Sequence, residues 1–301
     1  MNNYLITIVG ATAIGKTTLS IHLAKHYNAE IISSDSRQFY KEMTIGTAVP
    51  SKEELDSVTH HFIQNRSIFE NYSVGDFEKD ALSKLDELFL KNNVVIMVGG
   101  SGLYTNAVID GLDYFPEVSP KIREQLNEQI EKGAIKTLQT QLKELDIESY
   151  NSIEIENPHR LIRALEICIG TGKPYSEFKN KKKAARNFIP IKIGLFADRQ
   201  IMYERINKRV DIMMNLGLFE EAKTLFPHKD LNALQTVGYR ELFSFINDDY
   251  SLDFAIEEIK KNTRRFAKRQ VTWNKKDTSI NWFQFEENVM NIISKIDSLI
   301  T

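Results

Sequence analysis

The chain has 301 residues, 42% of them hydrophobic and 27% charged, with a formal net charge of −2. Such a composition fits a globular protein of about two domains and excludes collagen-like, coiled-coil and disordered classes. The single cysteine, Cys168, excludes an internal disulfide framework and a multi-thiolate zinc site, and reads as a small buried hydrophobe.

Tyr4–Val9 (YLITIV) is a short apolar run ending at Gly10, the pattern of a strand buried on both faces. It leads straight into a glycine loop, without the basic segment and cleavage site of a signal peptide. No apolar run approaches the roughly 18 residues of a membrane span. The expectation is a cytoplasmic protein with no membrane contact. From Thr17 to Tyr27, Leu19, Leu23 and Ala24 repeat at helical spacing. Ile31–Asp35 is a second short strand, ending in a carboxylate. Val94–Val98 is a third, running into Gly99-Gly100, and Ile189–Phe196 a fourth, before Ala197-Asp198-Arg199. Strands alternating with helices predict an α/β fold with a parallel sheet flanked by helices.

Between about Pro116 and Lys183 the pattern changes. Ile122–Lys132, Ile135–Leu145 and Pro158–Gly170 are helical, with no strand between them. The spacing predicts an all-helical insertion, 116–187, in a core made of 1–115 and 188–301. Two stretches stand out by charge: Lys179–Arg186 (KNKKKAAR), and Lys260–Lys276, with eight Lys/Arg and no acid.

Gly10-Ala11-Thr12-Ala13-Ile14-Gly15-Lys16-Thr17 matches G-x-x-x-x-G-K-[ST] between a strand and a helix, as a P-loop requires. Its glycines let successive N–H groups converge on phosphate oxygens, and the helix N-terminus adds partial positive charge. Lys16 neutralises phosphate charge, and the Thr17 hydroxyl is placed to reach a Mg²⁺. The core is therefore expected to be P-loop NTPase-like. P-loop NTPases usually hold Mg²⁺ with an Asp ending a later strand, but Val94–Val98 ends in Gly99-Gly100-Ser101-Gly102. Asp35 is the well-placed acid, because ligands of open α/β sheets lie beyond the carboxyl ends of the strands. It reads as a general base or metal-linked acid beside a polyphosphate, or else as a turn aspartate.

These residues resemble the tRNA dimethylallyltransferase (tRNA isopentenyltransferase) family through most of the chain. Besides the P-loop, the resemblance rests on Ile32-Ser33-Ser34-Asp35-Ser36-Arg37-Gln38 with Tyr40, Ile45-Gly46-Thr47-Ala48, His60-His61 and Tyr72-Ser73-Val74-Gly75-Asp76-Phe77. It continues in Gly99-Gly100-Ser101-Gly102-Leu103-Tyr104, Asn157-Pro158-His159-Arg160-Leu161-Ile162-Arg163-Ala164-Leu165-Glu166, Val237-Gly238-Tyr239-Arg240 and Lys268-Arg269-Gln270-Val271-Thr272-Trp273. It implies transfer of a dimethylallyl group from dimethylallyl diphosphate to the exocyclic amine of an adenine beside the anticodon of tRNA. Gly10 to Thr17 would hold the leaving diphosphate. Asp35 would be the base, with Thr17 and Arg209 assisting departure of the diphosphate. Asp35, Ser36, Arg37, Gln38, Ser101, Arg123, His159, Arg160, Leu161, Ile162 and Arg163 would lie along the tRNA, making the helical insertion a tRNA-contacting domain. Departures from the family pattern are Ala11 for Pro, Ile14 for Ser, Ser101 for Thr and His159 for Gln.

The chemistry asks for the same groups. Breaking an allylic C–O bond needs cations and N–H donors at the diphosphate, the amine needs a base, and water must be excluded. Along 260–276, Phe266, with Ile256 and Ile259 just before the stretch, marks an apolar side. Lys261, Arg264, Arg265, Lys268 and Arg269 occupy much of the rest. Two basic runs on a mildly acidic chain suit a polyanion, whose phosphates position it while unstacked bases supply specificity. The partners expected are tRNA and dimethylallyl diphosphate, the cofactor Mg²⁺, and the chain a monomer. His60-His61 read as loop packing rather than metal ligands, Trp273 and Trp282 as core or edge aromatics rather than base-stacking platforms, and Tyr239-Arg240 as a helix start or a substrate contact. A P-loop small-molecule kinase, a transferase acting on free adenine nucleotides and a non-catalytic RNA-binding protein remain as alternatives. The first two need no extended basic surface, and intact Lys16, Thr17 and Asp35 speak against the third.

Overall fold

The computed structural model describes residues 2–179 and 185–300, so residues 180–184 of the basic run Lys179–Arg186 lie outside the described residues. The chain divides into two compact units: residues up to Asp110 with those from Arg186 onward, and Gly111–Ala185.

The first unit is built on a parallel sheet of six strands: β1 (Tyr4–Gly10), β2 (Ile31–Ser33), β3 (His60–His61), β4 (Val94–Val98), β5 (Ile189–Phe196) and β6 (Asn281–Gln284). Their spatial order is β3-β2-β4-β1-β5-β6. Central β1 is buried at all seven positions, as a parallel strand covered on both faces must be. Its Tyr4 sets the register by lying opposite both Val94 and Ile189. The helices are α1 (Lys16–Tyr27), α2 (Lys52–Ser57), α3 (Val74–Phe89), α4 (Gly102–Asp110), α5 (Pro120–Glu131), α6 (Ile135–Leu145), α7 (Ile147–Ser152), α8 (Pro158–Thr171), α9 (Arg199–Asn215), α10 (Leu218–Leu225), α11 (Tyr239–Ile246), α12 (Leu252–Asn274) and α13 (Val289–Asp297).

Alternation along β1 sends Ile6 and Ile8 to one face, where they meet Leu19 and Leu23 of α1 and Ile292 and Ile296 of α13. Leu5 goes to the other face, with Phe77 and Leu85 of α3 and Val108 of α4. A separate helical core joins α9 to α12 through Val210, Leu218, Tyr239 and Ile259, and also takes in Tyr40 and Met43.

The second unit is helical, from α5 to α8, around Leu126, Leu138, Leu142, Leu161, Leu165 and Cys168. Cys168 is buried and unbridged. Asp146 organises one end by accepting from the N–H of Ser149 (3.0 Å), the N–H of Ser176 (2.8 Å) and the Ser176 hydroxyl (3.0 Å).

Three details differ from the sequence reading. Strand β2 stops at Ser33, so Asp35 stands just past its end. His60-His61 is an edge strand pairing with Ile31 and Ile32, not a loop. Asn281–Gln284 adds a strand beside β5, too short and too mixed in polarity to show a period. Among the described residues no helix is long and apolar enough to cross a membrane.

Candidate active site

Strand β1 ends at Gly10, with φ 143°, where a Cβ would lie 2.7 Å from the Leu195 carbonyl oxygen. Only glycine turns the chain there without displacing β5. The loop then curls back to Gly15, which opens α1 with no side-chain cap and no acid in the first turn. The first N–H groups of α1 are thus left for a ligand, with the positive end of the helix dipole behind them. Lys16 folds across the loop and donates from Nζ to the Ala11 carbonyl at 2.7 Å. Ala13 adopts φ 62°, a conformation costly for a residue with a Cβ, and Arg205 Nε braces it by donating to its carbonyl at 2.8 Å. Ala11 and Ile14, the unusual residues of the loop, are 2% and 1% exposed, so both pack inward.

Burial pushes the Lys16 ammonium down to about 8, with Asp35 opposing the shift and Arg209 reinforcing it. The free protein therefore loses this charge as pH rises through about 8 rather than 10.5, whereas a bound polyanion favours the protonated form. Affinity for inorganic diphosphate is expected to fall as pH rises through about 8, with proton uptake on binding. Isothermal titration in buffers of different ionisation enthalpy reads both effects, and in Lys16→Arg the pH dependence flattens.

Asp35 faces this loop. Its Oδ1 accepts from the Arg37 N–H at 3.1 Å, and its Oδ2 lies 3.2 Å from where a Gly100 Cβ would stand. Gln270 of α12 ties the two loops together, accepting from the Thr12 N–H and donating to the Gly100 carbonyl, both at 2.8 Å. Ser101 Oγ accepts from the Ser36 N–H at 3.0 Å and pairs with the Ser36 hydroxyl at 2.9 Å. The Arg37 guanidinium donates to the carbonyls of Asn232 and Ala233, and Gln38 Nε2 to those of Thr47 and Ala48. That last segment is fixed by Glu221, whose carboxylate accepts from the N–H groups of Thr44, Ile45 and Gly46 and from the Tyr239 hydroxyl. Tyr239 is fully buried, and its hydroxyl supports a loop rather than meeting a substrate.

Two cavities meet at these residues. One, of about 630 Å³, holds Lys16, Thr17, Arg205 and Lys208 around the phosphate loop. The other, of about 540 Å³, adds the side chains of Ile206, Val210, Met213, Leu218, Phe266 and Trp273. Thr12, Asp35, Thr47, Gly100 and Arg209 line both. Arg209 donates to the Thr12 hydroxyl at 3.4 Å, and burial makes its guanidinium hold its proton less tightly, partly offset by Asp35 and Glu54. No cluster of three His, Cys, Asp or Glu able to hold a metal occurs among the described residues. Thr17 supplies a hard oxygen at the loop, which suits Mg²⁺, an ion that takes few protein ligands alongside phosphate oxygens.

The remaining expected site residues lie in the second unit. Glu166, nearly buried, receives Arg123 at 2.6 and 3.1 Å and also pairs with Arg163. The Arg163 guanidinium lies 5.0 Å from the centre of the Phe115 ring, and Phe115 stacks on Tyr175 at 4.7 Å. His159 and Arg160 are exposed on the first turn of α8. Leu161 and Ile162, expected along an RNA, are 0% and 4% exposed. Their side chains fill the core of this unit and are not presented to a ligand. On α12, Lys260 is tied to Asp211 and Glu257, Lys261 to Glu258, and Arg264 to Asn207. The exposed cations of that run are Arg265, Lys268, Arg269, Lys275 and Lys276.

Sequence reasoning missed Glu221 and Gln270. An uncharged glutamine inside a cationic run was the available signal for Gln270. Nothing local marks Glu221, whose backbone partners lie 175 to 177 residues away.

A phosphate loop at the carboxyl edge of a parallel sheet, opening on a second, largely apolar chamber, defines a P-loop enzyme of the group-transfer kind. The IPP transferase family description matches residues 38–277. A tRNA dimethylallyltransferase of Flavobacterium psychrophilum is 63% identical over 302 residues, covering 98% of both chains. The crystal structure of a full-length tRNA isopentenylpyrophosphate transferase from Bacillus halodurans superposes with a TM-score of 0.72 at 36% identity, over 99% of this chain and 96% of that one. A eukaryotic dimethylallyltransferase captured acting on tRNA gives 0.78 at 26% identity, over 94% and 74%. The chain belongs to the tRNA dimethylallyltransferase family.

Proposed function

We propose that this chain transfers the dimethylallyl group of dimethylallyl diphosphate to the exocyclic amine of an adenine beside the anticodon of tRNA, releasing diphosphate. The observation that carries the proposal is the junction: Asp35 and Arg209 line both the phosphate cavity and the apolar one. A diphosphate on Gly10–Thr17 would put its allylic carbon at that junction, with the target amine arriving through the second chamber. As the amine nitrogen bonds to the allylic carbon, the carbon–oxygen bond breaks and its electron pair leaves with the diphosphate. Asp35 takes the amine proton. Lys16, Arg209 and the loop N–H groups meet the charge that grows on the leaving oxygen. Mg²⁺, held by Thr17 and the diphosphate, would neutralise further charge there. The apolar walls and the RNA itself keep water from the allylic centre.

Exposed Arg265, Lys268 and Lys275 on and just past α12, together with Arg123, His159, Arg160 and Arg163 of the second unit, are the proposed phosphate partners. Ion pairs of this kind set affinity and its salt dependence. Neutralising Arg265, Lys268 and Lys275 together is expected to weaken tRNA binding and to flatten the slope of log K against log salt. The slope falls by roughly 0.7 for each phosphate that is no longer neutralised. Binding of dimethylallyl diphosphate stays unchanged. Filter binding across a salt series checks this, and an unaltered slope removes the three residues from the RNA footprint. Phosphoryl transfer from ATP to a small alcohol, with no requirement for tRNA, would favour a kinase.

A further inference from the structure

Trp273 is a large apolar side chain left 41% exposed, and it lines the same cavity as Asp35. Its indole lies against Gly102, where an added Cβ would fall 2.5 Å from Cδ1 and 3.1 Å from Cε2. The glycine thus lets the ring approach the 100–102 loop closely, and the ring is held from behind while part of its surface stays open. Asp35 meets the same loop two residues earlier, at Gly100, and Gln270, one turn before Trp273 on α12, fixes that residue through its carbonyl. Carboxylate and indole therefore flank one short segment, Gly100 to Gly102, which runs into α4 and whose middle residue, Ser101, is bonded to Ser36. An adenine whose amine reaches Asp35 enters a chamber of which this indole forms part of the wall. A base that has left its own stack regains stacking on an aromatic ring.

We infer that Trp273 is the platform on which the extruded adenine stacks while Asp35 meets its amine; this rests on the transferase reading above. Base–aromatic stacking removed by alanine substitution costs about 1–3 kcal/mol, that is, roughly 5- to 150-fold. Trp273→Ala is expected to lower kcat/KM for tRNA within that range while KM for dimethylallyl diphosphate stays unchanged. Trp273→Phe recovers most of the loss, since a ring remains.

The direct test uses fluorescence, because the chain has two tryptophans and the other, Trp282, belongs to β6. In Trp282→Phe the emission reports Trp273 alone. An anticodon stem–loop with adenine at the target position should quench it, whereas the same hairpin with an abasic nucleotide there should bind by filter assay without quenching. Equal quenching by both hairpins, or none from either while binding persists, overturns the inference. Should Trp282→Phe fail to fold, the kinetics of Trp273→Ala and Trp273→Phe in the natural chain decide: equal losses in both overturn stacking. Transfer of labelled dimethylallyl to tRNA by the unaltered protein tests the underlying reading separately. With transfer intact, a negative fluorescence result removes the stacking assignment alone; without transfer both fall.

Discussion

Replacing Asp35 with alanine is expected to lower dimethylallyl transfer by about 10²- to 10⁴-fold, the usual contribution of a positioned base. Binding of tRNA should stay within a few-fold, because removing a carboxylate takes negative charge away from a surface that meets a polyanion. The informative companion is Asp35→Asn. Its side-chain oxygen still accepts from the Arg37 N–H, a bond of 3.1 Å in the natural chain, so the shape of the loop survives while proton acceptance does not. Both variants should be equally inactive in single-turnover assays with saturating diphosphate substrate. Near-normal turnover in Asp35→Asn would mean that the carboxylate only shapes the loop.

The second large effect belongs to Arg209. It lies at the meeting of the two cavities and donates to the Thr12 hydroxyl, which in the proposed reaction would set it where charge grows as the diphosphate departs. Loss of one such preorganised donor typically costs about 10²- to 10³-fold in kcat. Arg209→Gln should show that loss, and Arg209→Lys should restore only part of it, since an ammonium replaces a fork of donors with a point charge. Thermal stability should hardly change, because Met202, Ile206 and Val210 provide the buried face of α9. A kcat within threefold of normal in Arg209→Gln would remove this residue from the leaving-group site.

The parts of the site visible in the sequence are those whose geometry is local. A buried strand, a glycine turn and a helix start together fix the phosphate loop within eight residues, and a carboxylate just past β2 must face it because the sheet is parallel. The opposite wall was not visible. Helical periodicity in α12 separates apolar from charged positions, but it does not say that Gln270 reaches the Thr12 N–H across 258 residues. Tertiary packing alone puts Trp273 in the chamber. Leu161 and Ile162 are the converse case. A motif carried over whole assigned them to RNA, while their apolar side chains on amphipathic α8 already belonged to a core. The short strands β3 and β6 escaped because two to four residues carry no measurable alternation.

That this chain prenylates an adenine in tRNA, with its phosphate loop on the leaving diphosphate, has one direct measurement. Unmodified tRNA is incubated with the protein, Mg²⁺ and dimethylallyl diphosphate labelled in the allyl group, then digested to nucleosides and resolved by mass spectrometry. Label is expected on the exocyclic nitrogen of the adenosine beside the anticodon, with one diphosphate released per label, and neither product with Lys16→Ala. Label absent from the RNA, or present at undiminished rate in Lys16→Ala, would contradict it.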